Sequence, residues 1–165
     1  MKLIGIDTGE KGAIVELDVN EKLCRWMKLP WREDDLLDEY RIKNNFDFSE
    51  AHYIYIEKVT PNKLFGCSNF TFGFNYSAVL SMVGQAFPYS LVSPKAWQRK
   101  FNGNTDNAQA AKLRTASSFR KMNPSFEAIV RSKHEGLIDA FFIAYYGGVV
   151  NNVVMPVDFR FIELN

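Results

Sequence analysis

Leu3-Ile-Gly-Ile-Asp-Thr-Gly-Glu-Lys-Gly-Ala-Ile-Val-Glu-Leu17 sets two apolar runs on either side of a short polar gap. The first run, residues 2–7, reads as a buried strand, yet it ends in a carboxylate, Asp7. The second, residues 12–18, follows after Thr8 to Lys11, a gap of hairpin length. Residues 23–29 form a third run after Val19 to Lys22. Three short strands with tight links predict an antiparallel meander.

His52-Tyr-Ile-Tyr-Ile-Glu57 is another β-branched and aromatic run closed by one acid, and it reads as a fourth buried strand. Between the meander and this strand, residues 32–44 place Leu36, Leu37 and Tyr40 among charges, a weakly amphipathic helix entered near Pro30. Residues 58–66 read as a loop. Residues 68–86 then repeat Phe72, Tyr76, Val79, Leu80 and Val83 at helical spacing, with Gly73, Ser77, Ala78, Ser81 and Gly84 among them. Tyr89–Val92 is a short fifth strand. Ser93-Pro94 opens a helix with Ser as N-cap and Pro at the first helical position. Further helices are expected over 107–122, ending before Pro124, and over 132–147, stopping at Gly147-Gly148. The expected architecture is α/β: a mixed five-stranded sheet, an antiparallel meander plus parallel strands, with helices on both faces. The chain reads as one domain over 1–165, with a core over about 2–147 and a tail over 148–165.

A chain of 165 residues that is 47% hydrophobic and 24% charged can build a sizeable core. Aromatics reach 15%, so the core is aromatic-rich or some rings serve an interface. No run approaches 18 apolar residues, so no transmembrane helix is expected, and the N-terminus lacks the pattern of a signal peptide. Cys24 and Cys67 match neither a metal spacing nor a disulfide framework, which fits a reducing, cytoplasmic setting. The net charge of +1 conceals a strong segregation. Residues 95–133 carry Lys95, Arg99, Lys100, Lys112, Arg114, Arg120, Lys121, Arg131 and Lys133 against Asp106 and Glu127, a local charge of +7. Such a segment is the electrostatic footprint of a nucleic-acid face, although a solvated pair of helices would read similarly.

Four acids stand out. Asp7 and Glu57 end apolar strands. Glu135 and Asp139 lie four apart in the last helix, on one face, beside the apolar run Ala140-Phe-Phe-Ile-Ala144. Taken singly, each has an ordinary reading as a turn former, a surface ion pair or a solvated residue. Taken together, neighbouring strand ends and a helix packed across them could gather all four. Converging carboxylates repel one another unless divalent cations lie between them. Mg²⁺ prefers such hard oxygen ligands, and a two-ion site supports phosphodiester hydrolysis.

In chain order, Gly5-Ile-Asp7-Thr-Gly9, Tyr55-Ile-Glu57-Lys-Val59, Val92-Ser-Pro94-Lys-Ala-Trp97 and His134-Glu-Gly-Leu-Ile-Asp139-Ala140 resemble the RuvC-type Holliday junction resolvases, in their phage and poxvirus-like branch. The resemblance spans roughly residues 2–147. It implies a ribonuclease H-like fold, a homodimer and Mg²⁺-dependent cutting of four-way DNA junctions by paired nicks, with Mn²⁺ able to substitute. It implies a place in DNA recombination and repair, in a cell's cytoplasm or as a phage or virus protein in its host. The family's metal ligands carry over to Asp7, Glu57 and Asp139. Glu135 departs from the Asp more often found in that part of the last helix. His134 is a candidate for positioning water, and Lys112 for stabilising charge at the scissile phosphate. Lys95, Arg99, Lys100, Lys112, Arg114, Arg120 and Lys121 are candidate phosphate contacts, and Phe65 and Phe70 candidate wedges at the junction centre. The small-residue helix 68–86 is a candidate dimer face. Competing readings are a related nuclease for other branched DNA or RNA, and a junction-binding protein that does not cut.

Overall fold

The computed structural model describes residues 1–9, 11–59, 68–103, 107–126 and 131–165, and the side chains of these except at 68–72, 108, 131 and 132. Among the described residues, six strands form one mixed sheet in the order β5-β4-β1-β2-β3-β6. The strands are β1 (Lys2–Asp7), β2 (Ala13–Asp18), β3 (Leu23–Lys28), β4 (Tyr53–Glu57), β5 (Ser90–Val92) and β6 (Arg160–Glu163). The helices are α1 (Glu39–Asn45), α2 (Ser68–Ala86), α3 (Pro94–Asn102), α4 (Ala108–Met122) and α5 (Arg131–Val150). The expected meander is present: β1, β2 and β3 pair antiparallel in sequence order. β4 joins β1 in parallel, and β5 joins β4 in parallel.

Both faces of the central strands are covered, which is why they read as continuous apolar runs. On one face Leu3, Val15, Leu17 and Trp26 pack with Trp97, Phe119, Phe141 and Phe142, so α3, α4 and α5 share this core. On the other, Ile4, Ile6, Ile14 and Ile56 pack with Ile42 of α1 and with Val79, Met82 and Val83 of α2.

The sheet has six strands, one more than the sequence reading. Residues 148–165, read as a tail, include Phe159, which is 1% exposed and lies in the aromatic core. Its amide N–H donates to Asn123 Oδ1 at 3.1 Å. That anchor delivers Arg160–Glu163 to the open edge of β3, where backbone groups need partners. Two helix boundaries also differ. α1 begins at Glu39 because Asp38 caps it, accepting from the Arg41 N–H, while residues 32–36 close a turn. α5 runs through Gly147 and Gly148 to Val150, since Tyr55 and Met155 pack directly on those glycines. α3 starts at Pro94 as expected, but Ser93 makes no side-chain cap bond. No described helix is long and apolar enough to cross a membrane.

Candidate active site

β1 and β4 run parallel with Ile6 opposite Ile56. The next residues, Asp7 and Glu57, therefore finish side by side on neighbouring strands, about 5 Å apart in backbone. α5 crosses β1 at very close range. A Cβ built on Gly5 would lie 2.2 Å from the Ala140 carbonyl oxygen and 2.4 Å from the Ala144 nitrogen. One built on Gly136 would lie 1.9 Å from the Lys11 carbonyl oxygen. The two glycines let the helix backbone rest on β1 and on the β1–β2 hairpin. Glu135 and Asp139, on either side of Gly136, are thereby carried to the strand ends that bear Asp7 and Glu57.

The charges respond to one another. Burial raises the Asp7 pKa and Glu135 adds to it, while the Gly9 N–H, 3.0 Å from Oδ1, and the Lys112 ammonium oppose. Burial, reinforced by Asp7, lifts Glu57 to about 7 against the opposing pull of the Trp97 indole N–H, 2.9 Å from Oε1. Asp139 is driven well above the carboxylate range, first by burial and then by Asp7, Glu57 and Glu135. All four acids thus share one electrostatic site. Lys112 of α4 completes it with an ion pair from Nζ to Glu135 Oε1. Lys112, Arg120, Glu135 and Asp139 also line a cleft of about 250 Å³ between α4 and α5.

These shifts make a stability prediction for the cation-free protein. Glu57 is protonated more readily in the folded chain, so its contribution is fully present below its ordinary pKa of 4.5 and fades as pH rises through about 7. Urea unfolding at pH 4.5 and pH 8 is expected to show the native chain losing roughly 3 kcal/mol across this interval relative to Glu57→Gln. Equal pH dependence in the two proteins would contradict the buried, raised Glu57.

Among the described residues, no three His, Cys, Asp or Glu side chains are drawn together into a ready-made metal cage. The donor chemistry still fits a hard divalent cation. The four carboxylates feel one another's charge, and burial raises the pKa of Asp7, which is 8% exposed, and of the half-buried Asp139, so each favours either a proton or a cation.

The other residues singled out in the sequence divide clearly. Lys95, Arg99 and Lys100 on α3, and Lys112, Arg114, Arg120 and Lys121 on α4, are all exposed. His134 is not brought to the acids. It occupies another face of α5, with its ring edge-on to Trp26 and Phe126, and lines a separate cleft with Phe161 and Glu163. The α5 turn that points Glu135 at Lys112 rotates the preceding residue toward β3. Phe65 and the Phe70 side chain lie outside the described residues, as does Cys67. Cys24 is buried and free. Trp97 closes one of the motifs quoted above but is not among the site residues read from the sequence, although it touches Glu57. The available signal was its position as an isolated indole between Lys95 and Arg99, on the inward side of a basic helix.

No family model matches the chain, and no curated protein matches it. Among solved structures, a Thermus thermophilus RuvC structure is similar over 95% of this chain and 100% of its own, at 17% identity and a TM-score of 0.63. The structure described as T. thermophilus RuvC in complex with Holliday junction substrate is similar over 95% of this chain and 99% of its own, at 16% identity and a TM-score of 0.56. With its meander, its parallel β4 and β5 and its last long helix laid across β1, this chain has the RuvC-like, ribonuclease H-type fold.

Proposed function

We propose that this chain is a Mg²⁺-dependent, structure-selective endonuclease that resolves four-way DNA junctions by paired nicks. The observation that carries the reading is the gathering of Asp7, Glu57, Glu135 and Asp139 at one sheet end, beside a cleft lined by Lys112 and Arg120. The likeness to a RuvC structure described as bound to a Holliday junction substrate favours branched DNA over other nucleic acids. Asp7, Glu57, Asp139 and Glu135 would hold the cations, with Mn²⁺ able to replace Mg²⁺. When bound, these ions supply activation of water and neutralisation of charge on the phosphate.

The chain's own residues supply the rest. The exposed cations of α3 and α4 hold the DNA backbone and set its register over the acids. Lys112, released from Glu135, stabilises negative charge on the scissile phosphate. A homodimer suits a two-fold substrate. The outward face of α2 fits that role, with exposed Gly73, Phe74, Ser77 and Ser81.

A supercoiled plasmid that extrudes a cruciform separates the readings. Direct conversion to linear product in Mg²⁺, without nicked-circle accumulation, is expected from two coordinated active sites. Cutting of flaps, forks or RNA in preference to the cruciform would favour a different branched substrate. Tight junction binding without any cutting in Mg²⁺ or Mn²⁺ would leave a binding protein.

A further inference from the structure

α3 turns two chemistries in opposite directions. Lys95, Arg99 and Lys100 are exposed, while Trp97 is 0% exposed. The Trp97 indole N–H donates to Glu57 Oε1 at 2.9 Å. Its ring lies nearly parallel to that of Phe142, with 6.2 Å between centroids and 6° between planes. Phe142 is three residues beyond Asp139 on α5 and is itself held by Phe101, Phe119 and Phe141. One side chain therefore touches both the strand end that carries Glu57 and the helix that carries Asp139.

We infer that Trp97 is a positioning residue for cation binding: it pins one oxygen of Glu57 and leaves the other to face the ion. This inference rests on the metal-dependent reading above. A glutamate has several rotamers and two equivalent oxygens, and ordering them on binding costs entropy. A donor fixed on one oxygen removes much of that cost before the cation arrives. The partners around a ligand commonly act this way. Indole suits the task because its N–H is rigid with the ring, and the ring is clamped against Phe142. Phe would keep the packing and lose the donor. Lys95, Arg99 and Lys100 share α3 with Trp97, so phosphate contacts and the Glu57 oxygen are set by one rigid element.

The test is Mn²⁺ binding, followed by electron paramagnetic resonance of the free ion, for the native chain, W97F, E57Q and the double variant. W97F is expected to weaken Mn²⁺ binding by roughly 10–100-fold, as loss of such a partner does elsewhere. In the E57Q background the same substitution should add no further loss. In the native chain, the indole N–H resonance of Trp97 should move as Mg²⁺ is titrated. This last readout stands even if W97F fails to fold. Native Mn²⁺ affinity in W97F, an equal loss with and without Glu57, or an unmoved Trp97 resonance at saturating Mg²⁺ would each overturn the inference. Absence of Mn²⁺ binding by the native chain would overturn the metal-dependent reading and this inference together. Native binding that W97F leaves unchanged would overturn the inference alone.

Discussion

Asp7→Asn is expected to reduce Mg²⁺-dependent junction nicking by about 10³-fold or more, at the upper end of what loss of one electrostatic group costs. The same substitution should raise the melting temperature of the cation-free protein at pH 8. The two effects share a cause. Asp7 is 8% exposed, and burial together with Glu135 opposes its charge. Asn fills the same volume and can still accept the Gly9 N–H, so the hairpin after β1 keeps its bond. What disappears is a buried negative charge, a cost to the empty site and a necessity for the loaded one. Mg²⁺ should then raise the melting temperature of the native chain more than that of D7N. Native nicking by D7N would remove Asp7 from the active site. Lost nicking with a lower melting temperature would point instead to a structural role.

The second large effect is expected at a residue with no functional group. Gly5→Ala should destabilise the protein by on the order of 4 kcal/mol, measured by urea unfolding, because the new methyl meets backbone on a packed helix. Its Cβ would lie 2.2 Å from the Ala140 carbonyl and 2.4 Å from the Ala144 nitrogen, and neither atom can swing aside as a side-chain tip would. Relief requires α5 to lift from β1. Lifting α5 also separates Asp139 from Asp7, so any folded Gly5→Ala protein should have lost most of its nicking. A variant with native stability would mean that α5 does not rest on β1 at this distance.

Much of the fold is written in local pattern. Apolar runs too uniform for a one-sided sheet mark β1, β2 and β4 as strands covered on both faces. The hairpin-length gaps on either side of Ala13–Asp18 order the meander, since short links leave antiparallel pairing as the available geometry. β6 carries no such local mark. Arg160–Glu163 pairs with β3 beside Phe159, which is buried in the core that α4 and α5 share. The same limit applies to His134, which sits beside Glu135 in sequence yet faces Trp26 and Phe126. Adjacent positions on a helix diverge by about 100°, so nearness in sequence is a poor guide to a shared site.

By itself, then, the sequence determined the first five strands, the helices in outline, the strand-end carboxylates Asp7 and Glu57, the one-turn pair Glu135 and Asp139, and the basic segment that holds α3 and α4. These follow from periodicity and charge, which act over a few residues. The tertiary structure decided which of them meet. Parallel pairing of β1 with β4 sets Asp7 beside Glu57, and the close passage of α5 over Gly5 adds the helix acids. Trp97 reaches Glu57 from 40 residues away. No local pattern records such contacts, because they are made by packing between elements distant in the chain.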